Sequence, residues 1–301
     1  MIKYSRIHVP LRLVLLLLSI VGALAITGVP HSFQQGQQAP STSRPTQEKS
    51  SEPFSGDLRI QQMEIQKLGF GADDRQAMLS ERYPWSAIGR VEQKNGAFCT
   101  GSLIAEDIVI TNAHCVLDQG KLVDTVFKPN FKEGKSSETI PAVWTCFGTN
   151  DPDGNRNADW AILRLGQPIG KKYGWLGLAS QSDAELLNQT VIFAGYSSFP
   201  DEKRTVFVNG NTAAVHIGCR ITQTKNGIIK TNCDTARGSS GGPVFVGVEK
   251  PYVIAINAAE FRGNAPGSFW EPDERKAIDF GNVAVPVQNF FGNVMARCQT
   301  K

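Results

Sequence analysis

The chain has 301 residues, enough for one large domain or two small ones with an ordinary core. Its formal net charge of +3 is carried by Lys3, Arg6 and Arg12, which lie in the first 25 residues with no acid among them, so the remainder is neutral. A neutral body gives no electrostatic basis for binding nucleic acid or an anionic membrane, and a hydrophobic content of 41% is that of a globular protein.

Taken in order, the N-terminus reads as an export signal, residues 1–25. The three basic residues precede an apolar run, 13–24, and Ala23-Leu24-Ala25 fits a small-x-small cleavage pattern. An uncleaved anchor is the alternative, but the run extends at most to Val29 before Pro30, which is short for a bilayer span. Either way the body is expected outside the cytoplasm, secreted or periplasmic, with no stable membrane association once the signal is cut. Residues 26–56 are rich in Gln, Ser, Pro and Thr and cannot bury a core; we read 26–82 as a linker and pro-segment and 83–301 as the folded domain. There, short β-branched and apolar runs recur between Gly, Asn, Asp and Pro clusters: 102–104, 108–111, 142–146, 160–165, 191–194, 213–217, 244–246, 252–256 and 283–287. Only 183–187 and the C-terminal 287–298 look helical. The pattern predicts an all-β barrel or sandwich protein and counts against α/β folds.

Six cysteines follow the signal: Cys99, Cys115, Cys146, Cys219, Cys233 and Cys298. An even count in an exported chain favours disulfides. Metal binding is the weaker reading, because no C-x-x-C or H-x-x-x-H spacing occurs. Asp151-Pro152-Asp153-Gly154-Asn155 opens like a calcium loop, but Arg156 stands where the loop needs glycine and Ile162 where it needs an acid. No metal or cofactor is expected. Pairing 99–102 with 108–111 as strands would bring Cys99 beside Cys115. Cys219 and Cys233 flank a hairpin, and Cys146–Cys298 then remains, although four cysteines allow three connectivities.

Three local sequences carry the chemistry, in the order His, Asp, Ser. Thr111-Asn112-Ala113-His114-Cys115 sets a histidine, the natural general base near neutral pH, in a turn that the Cys99–Cys115 bridge would pin. Of the other histidines, His8 lies in the signal, His31 in the linker, and His216 has no comparable setting. Asn157-Ala158-Asp159-Trp160 opens an apolar strand with an acid that burial would suit to orienting an imidazole. Gly238-Ser239-Ser240-Gly241-Gly242-Pro243 forms a glycine-rich turn able to expose one serine and gather backbone N–H groups.

On these residues the chain resembles the trypsin/chymotrypsin family of serine endopeptidases. Residues 111–115 resemble that family's T-A-A-H-C block, 159–165 its D-I-A-L-L block, and 238–243 its G-D-S-G-G-P, with Ser239 in place of the acid. The resemblance implies a chymotrypsin-like fold of two packed antiparallel six-stranded barrels, about 83–170 and 185–286, followed by a helix at about 287–298. It also implies protein or peptide substrates and an acyl-enzyme. Ser240 would be the nucleophile, His114 the base, Asp159 its orienter, and the N–H groups of Gly238 and Ser240 the oxyanion hole.

The chain departs from the family by lacking an I-V-G-G-type start; Tyr83-Pro84-Trp85-Ser86 stands there instead. With Ser239 neutral, the family's activation ion pair cannot form. Both features resemble a bacterial branch containing glutamyl endopeptidases and trypsin-like relatives, in which Asn257 here replaces the histidine of the glutamate-specific members. Asp234, six residues before Ser240, would sit at the base of the substrate pocket with Thr235 and Asn257, or else turn away and cap a loop beside Cys233. The first reading favours cleavage after basic residues.

Overall fold

The computed structural model describes residues 75–198, 210–260 and 282–292. The expected signal and most of the expected pro-segment lie outside these residues.

Barrel one is built from β1 (Ile88–Gln93), β2 (Phe98–Leu103), β3 (Ile108–Thr111), β4 (Thr125–Pro129), β5 (Ile140–Phe147) and β6 (Ala161–Leu165). The ring runs β1-β2-β3-β6-β5-β4 and closes where β4 pairs with β1. Barrel two uses β7 (Thr190–Tyr196), β8 (Ala213–Lys225), β9 (Ile228–Thr231), β10 (Pro243–Val246), β11 (Tyr252–Glu260) and β12 (Asn282–Pro286). Its order is β8-β7-β10-β11-β12-β9, closed by β9 on β8, so the two rings share one connectivity. Every pairing within the two rings is antiparallel, and closure leaves neither ring a free edge.

Side chains alternate in and out as a strand requires: Thr125, Phe127 and Pro129 of β4 are buried while Val126 and Lys128 are only partly so. Val191, Phe193, Cys219, Ile221, Ile229, Val244, Ile254 and Ala284 fill barrel two. The larger cluster joins the barrels, with Trp85 edge-on to Phe245 at 6.0 Å and Trp160 over Phe290 at 5.7 Å between ring centroids. Each fully buried aliphatic or aromatic side chain contributes about 1.5–3 kcal/mol of transfer free energy.

The structure revises two expected boundaries. Gln76–Ala77 adds as a short strand to β8 at Val215 and Ala214, and Arg75, Ala77 and Met78 are buried. The packed body therefore includes residues 75–80, which lie within the 26–82 read as linker and pro-segment. A two-residue strand has no periodicity to detect; its neighbour in space creates it. The expected helix at 183–187 is a single turn, Asp183–Leu186, held by reciprocal bonds between Ser182 and Glu185. It stops because Leu187 is extended. Of the expected C-terminal helix, the described part opens with a 3₁₀ turn, Val287–Asn289, and residues from 293 on lie outside the described set.

Two expected disulfides are present, Cys99–Cys115 and Cys219–Cys233. Cys146 is also disulfide-bonded; Cys298, its expected partner, lies outside the described residues.

Candidate active site

Strand pairing assembles the first half of the site. Thr111, the last residue of β3, pairs with Ala161, the first of β6. Residues just past Thr111 and just before Ala161 therefore emerge together at one rim of barrel one. There Asn112 Nδ2 donates to the Asp159 carbonyl at 2.6 Å, fixing the two loops to each other. The Asp159 carboxylate, fully buried, accepts the His114 backbone N–H at Oδ1 (3.0 Å) and faces His114 Nδ1 with Oδ2 (2.8 Å). A carboxylate at Nδ1 holds the ring proton there and leaves Nε2 as the acceptor, which a general base needs. The imidazole is one-third exposed, so Nε2 has access to a substrate.

The Cys99–Cys115 bridge lies against this histidine: both sulfurs and a ring nitrogen lie within 4.8 Å of one another. Because the sulfurs are bonded to each other, the trio is a brace and not a ligand set.

The second half is the turn before β10. Ser239 N–H donates to the Ala236 carbonyl and Gly242 N–H to that of Ser239, both at 3.0 Å. Gly241 N–H reaches the Asn257 carbonyl at 2.7 Å and Asn257 N–H returns to that of Gly242 at 2.9 Å, which stitches the turn to β11. Gly238 adopts φ +95°, a conformation closed to ordinary side chains. Among the described residues, neither the Gly238 nor the Ser240 N–H has a partner. Unpaired N–H groups in an ordered turn are rare, and here they flank one serine hydroxyl.

Thr100 of β2, which no sequence motif marks, ties the halves together. Its N–H donates to the Ser240 carbonyl (2.7 Å) and its hydroxyl to the Gly238 carbonyl (3.0 Å). The hydroxyl also receives Tyr196 N–H (2.8 Å), while the Thr100 carbonyl receives the Thr111 hydroxyl (2.8 Å). The histidine strand and the serine turn thus share one threonine. The Ser240 hydroxyl donates to the Ala258 carbonyl at 3.3 Å, not to His114, so the hydroxyl stands in a resting rotamer. Ser239 is fully buried, and its hydroxyl both donates to and accepts from the Ala236 backbone.

Residues 74–273 match the family model described as Trypsin. The chain belongs to the trypsin family. It is 30% identical over 188 residues to a glutamyl endopeptidase of Bacillus licheniformis, covering 58% of this chain and 54% of that one. It is 26% identical over 160 residues to a trypsin-like protease of Streptomyces glaucescens, covering 49% and 58%. The chain spans about half the length of the curated relatives it matches. Among solved structures, a Glu endopeptidase superposes with TM-score 0.62 at 17% identity over 78% of this chain and all of the other. A thermostable serine protease, AL20, superposes with TM-score 0.55 at 18% identity over 72% and 99%. These likenesses show the two-barrel fold.

The expected pocket residues sit differently from one another in this trypsin-family chain. Asp234 is only 5% exposed; its backbone N–H donates to His216 Nδ1 at 2.9 Å, and its Oδ2 stands 3.3 Å from the same nitrogen. The Thr235 hydroxyl oxygen is buried with no partner among the described residues. Asn257 is buried, with Nδ2 toward the Ser239 carbonyl at 3.4 Å. The residues flanking His216 are ordinary, so local sequence gives it no weight. The signal that finds it is the Cys219–Cys233 bridge, which brings the residue three before Cys219 close to the one after Cys233.

Proposed function

We propose that this chain is an exported serine endopeptidase with Ser240 as nucleophile, His114 as general base and acid, and Asp159 as the group that orients the imidazole and balances its charge. The observation that carries the reading is the fully buried carboxylate at 2.8 Å from His114 Nδ1, on a rim joined through Thr111 and Thr100 to the turn that bears Ser240.

In this reading a substrate carbonyl entering beside Ser240 draws the hydroxyl away from the Ala258 carbonyl and toward His114 Nε2. Oγ attacks the carbonyl carbon as Nε2 takes its proton, and Asp159 stabilises the imidazolium. The negative oxygen of the tetrahedral intermediate falls to the N–H groups of Gly238 and Ser240, each such donor contributing about 3 kcal/mol. Nε2 then protonates the departing amine. Water attacks the acyl-enzyme with His114 again as base, and Ser240 regains its proton.

Ser239 offers no charge to a buried ammonium, and its hydroxyl is already satisfied. Activity in this reading does not depend on an inserted N-terminus, because an unpaired buried charge is very costly. The disulfides suit an oxidising compartment, in line with export. The substrate pocket is assigned to Asp234, Thr235 and Asn257. The Bacillus relative is by name a glutamyl endopeptidase, but here the neutral Asn257 amide is engaged with the Ser239 carbonyl, so glutamate selection is not part of the proposal.

The test is hydrolysis of a denatured protein by wild type, Ser240→Ala and Ser239→Ala. We expect Ser240→Ala to lose nearly all activity while keeping its melting transition, and Ser239→Ala to lose far less. The reverse order would defeat the assignment.

A further inference from the structure

We propose that Arg90 is a positioning residue for the oxyanion hole: its guanidinium braces both groups that border the slot holding Gly238, and so keeps the Gly238 N–H on the oxyanion. The inference rests on the peptidase reading and on the assignment of that N–H to the hole.

Val91 of β1 and Phe127 of β4 are fully buried in the core. Successive residues of a strand face opposite ways. Arg90 is paired with Thr100 of β2 and with Lys128 of β4, and Glu92 is paired with Phe98. Arg90, Glu92, Phe98, Thr100 and Lys128 therefore share the other face of the wall, and Thr100 is the residue that bonds the nucleophile turn. Phe98, two positions before Thr100, packs on the same turn. A Cβ on Gly238 would stand 2.3 Å from Phe98 Cε2 and 2.7 Å from the Tyr196 carbonyl oxygen, so these two groups border a slot that glycine alone fits.

Arg90 braces both. Its Cζ is 3.8 Å from the Phe98 ring centroid and 5.0 Å from that of Phe131. Phe131 in turn meets Tyr196 edge-on, with 6.0 Å between ring centroids. Arg90 Nη1 also donates to the Gly210 carbonyl at 3.4 Å, and a Cβ on Gly210 would stand 2.5 Å from Phe98 Cε2, so the ring is bounded there as well. The guanidinium is itself held, with Nε 2.8 Å from Glu92 Oε1, and Glu92 Oε2 accepts from Lys128 Nζ at 2.6 Å.

A flat, delocalised cation can stack on a ring and pair in its own plane at once, which an ammonium cannot. Without that plate Phe98 and Phe131 gain room to turn, and the Gly238 backbone can drift. An N–H stabilises the oxyanion only from within hydrogen-bond distance of the place where charge develops. The loss then falls on the transition state and spares substrate binding.

The experiment measures kcat and KM on a peptide amide, and the rate of fluorophosphonate labelling, for wild type, Arg90→Met and Arg90→Lys, with urea unfolding of each. Both variants should lose about tenfold in kcat with KM within about twofold of wild type, and labelling should slow in parallel. Arg90→Lys keeps the charge and a partner for Glu92, so it carries the test should Arg90→Met fail to fold. A merely structural role would lower the unfolding midpoint and leave the kcat of the folded enzyme unchanged. The inference is overturned by a kcat within about threefold of wild type in either folded variant. It is equally overturned by a loss carried by KM alone, or by labelling that keeps its rate while kcat falls. A wild type that takes no fluorophosphonate label would overturn the peptidase reading and this inference with it; a wild type that labels, beside variants that label and turn over as fast, overturns this inference alone.

Discussion

Gly238→Ala perturbs the proposed oxyanion hole at the point where the geometry is tightest. A Cβ there would stand 2.3 Å from Phe98 Cε2 and 2.7 Å from the Tyr196 carbonyl oxygen. The Phe98 ring has little room to yield, because the Arg90 guanidinium stacks 3.8 Å from its centroid and Gly210 also lies against it. Placing alanine at φ +95° costs about 1–2 kcal/mol of backbone strain, and the forced repacking a further ~1–3 kcal/mol. A domain of ordinary stability, about 5–15 kcal/mol, survives this. The turn relaxes by moving its own backbone, which takes the Gly238 N–H off the position of the oxyanion. The expected loss in kcat is about 10²–10³. Gly218→Ala is the control: its φ is +90° but no atom lies within 4 Å of a new Cβ, so backbone strain occurs without a shift in the turn. Steady-state kinetics on a peptide amide, beside urea unfolding, read both quantities. A Gly238→Ala protein with kcat within about threefold of wild type would refute the oxyanion assignment.

Asp159→Asn removes the acceptor at 2.8 Å from Nδ1 and favours the wrong imidazole tautomer, so kcat should fall by about four orders of magnitude with the fold intact; urea unfolding and turnover measured together check this. Replacing Cys99 and Cys115 by alanine opens a loop with a sequence separation of 16 and should cost about 3 kcal/mol, read as a lower unfolding midpoint. A chain starting at Tyr83 loses the strand at Gln76–Ala77 and the fully buried Met78, and should unfold several degrees or more below one starting before Arg75. Equal melting temperatures for those two chains would show that residues 75–82 are dispensable packing.

His114, Asp159 and Ser240 each stand in a short contiguous segment whose chemistry is local, which is why the amino-acid sequence alone nominates them as candidates. The strands are legible for a similar reason, since short β-branched and apolar runs such as 108–111 and 191–194 stand out within a few residues. What stays hidden is non-local. The expected strand 213–217 runs to Lys225, because beyond the bulge near Thr222 its polar residues are carried by pairing with β9 rather than by burial. The segment 75–82 reads as pro-segment because Gln76 and Ala77 become a strand only beside β8. Thr100 has the sequence of an ordinary strand residue, and its role depends on four bonds to partners 11 to 140 positions away. The flanks of His216 say nothing of Asp234, whose N–H it accepts from 18 positions further along the chain.

The central claim is that Ser240, activated by His114, is the nucleophile. The most direct measurement is mass-spectrometric mapping of the covalent adduct after fluorophosphonate treatment of the wild-type protein, with His114→Ala treated in parallel. The adduct should lie on Ser240 in wild type and form at least about a hundredfold more slowly in His114→Ala. An adduct on Ser239, or labelling of Ser240 at the same rate without His114, would contradict the claim.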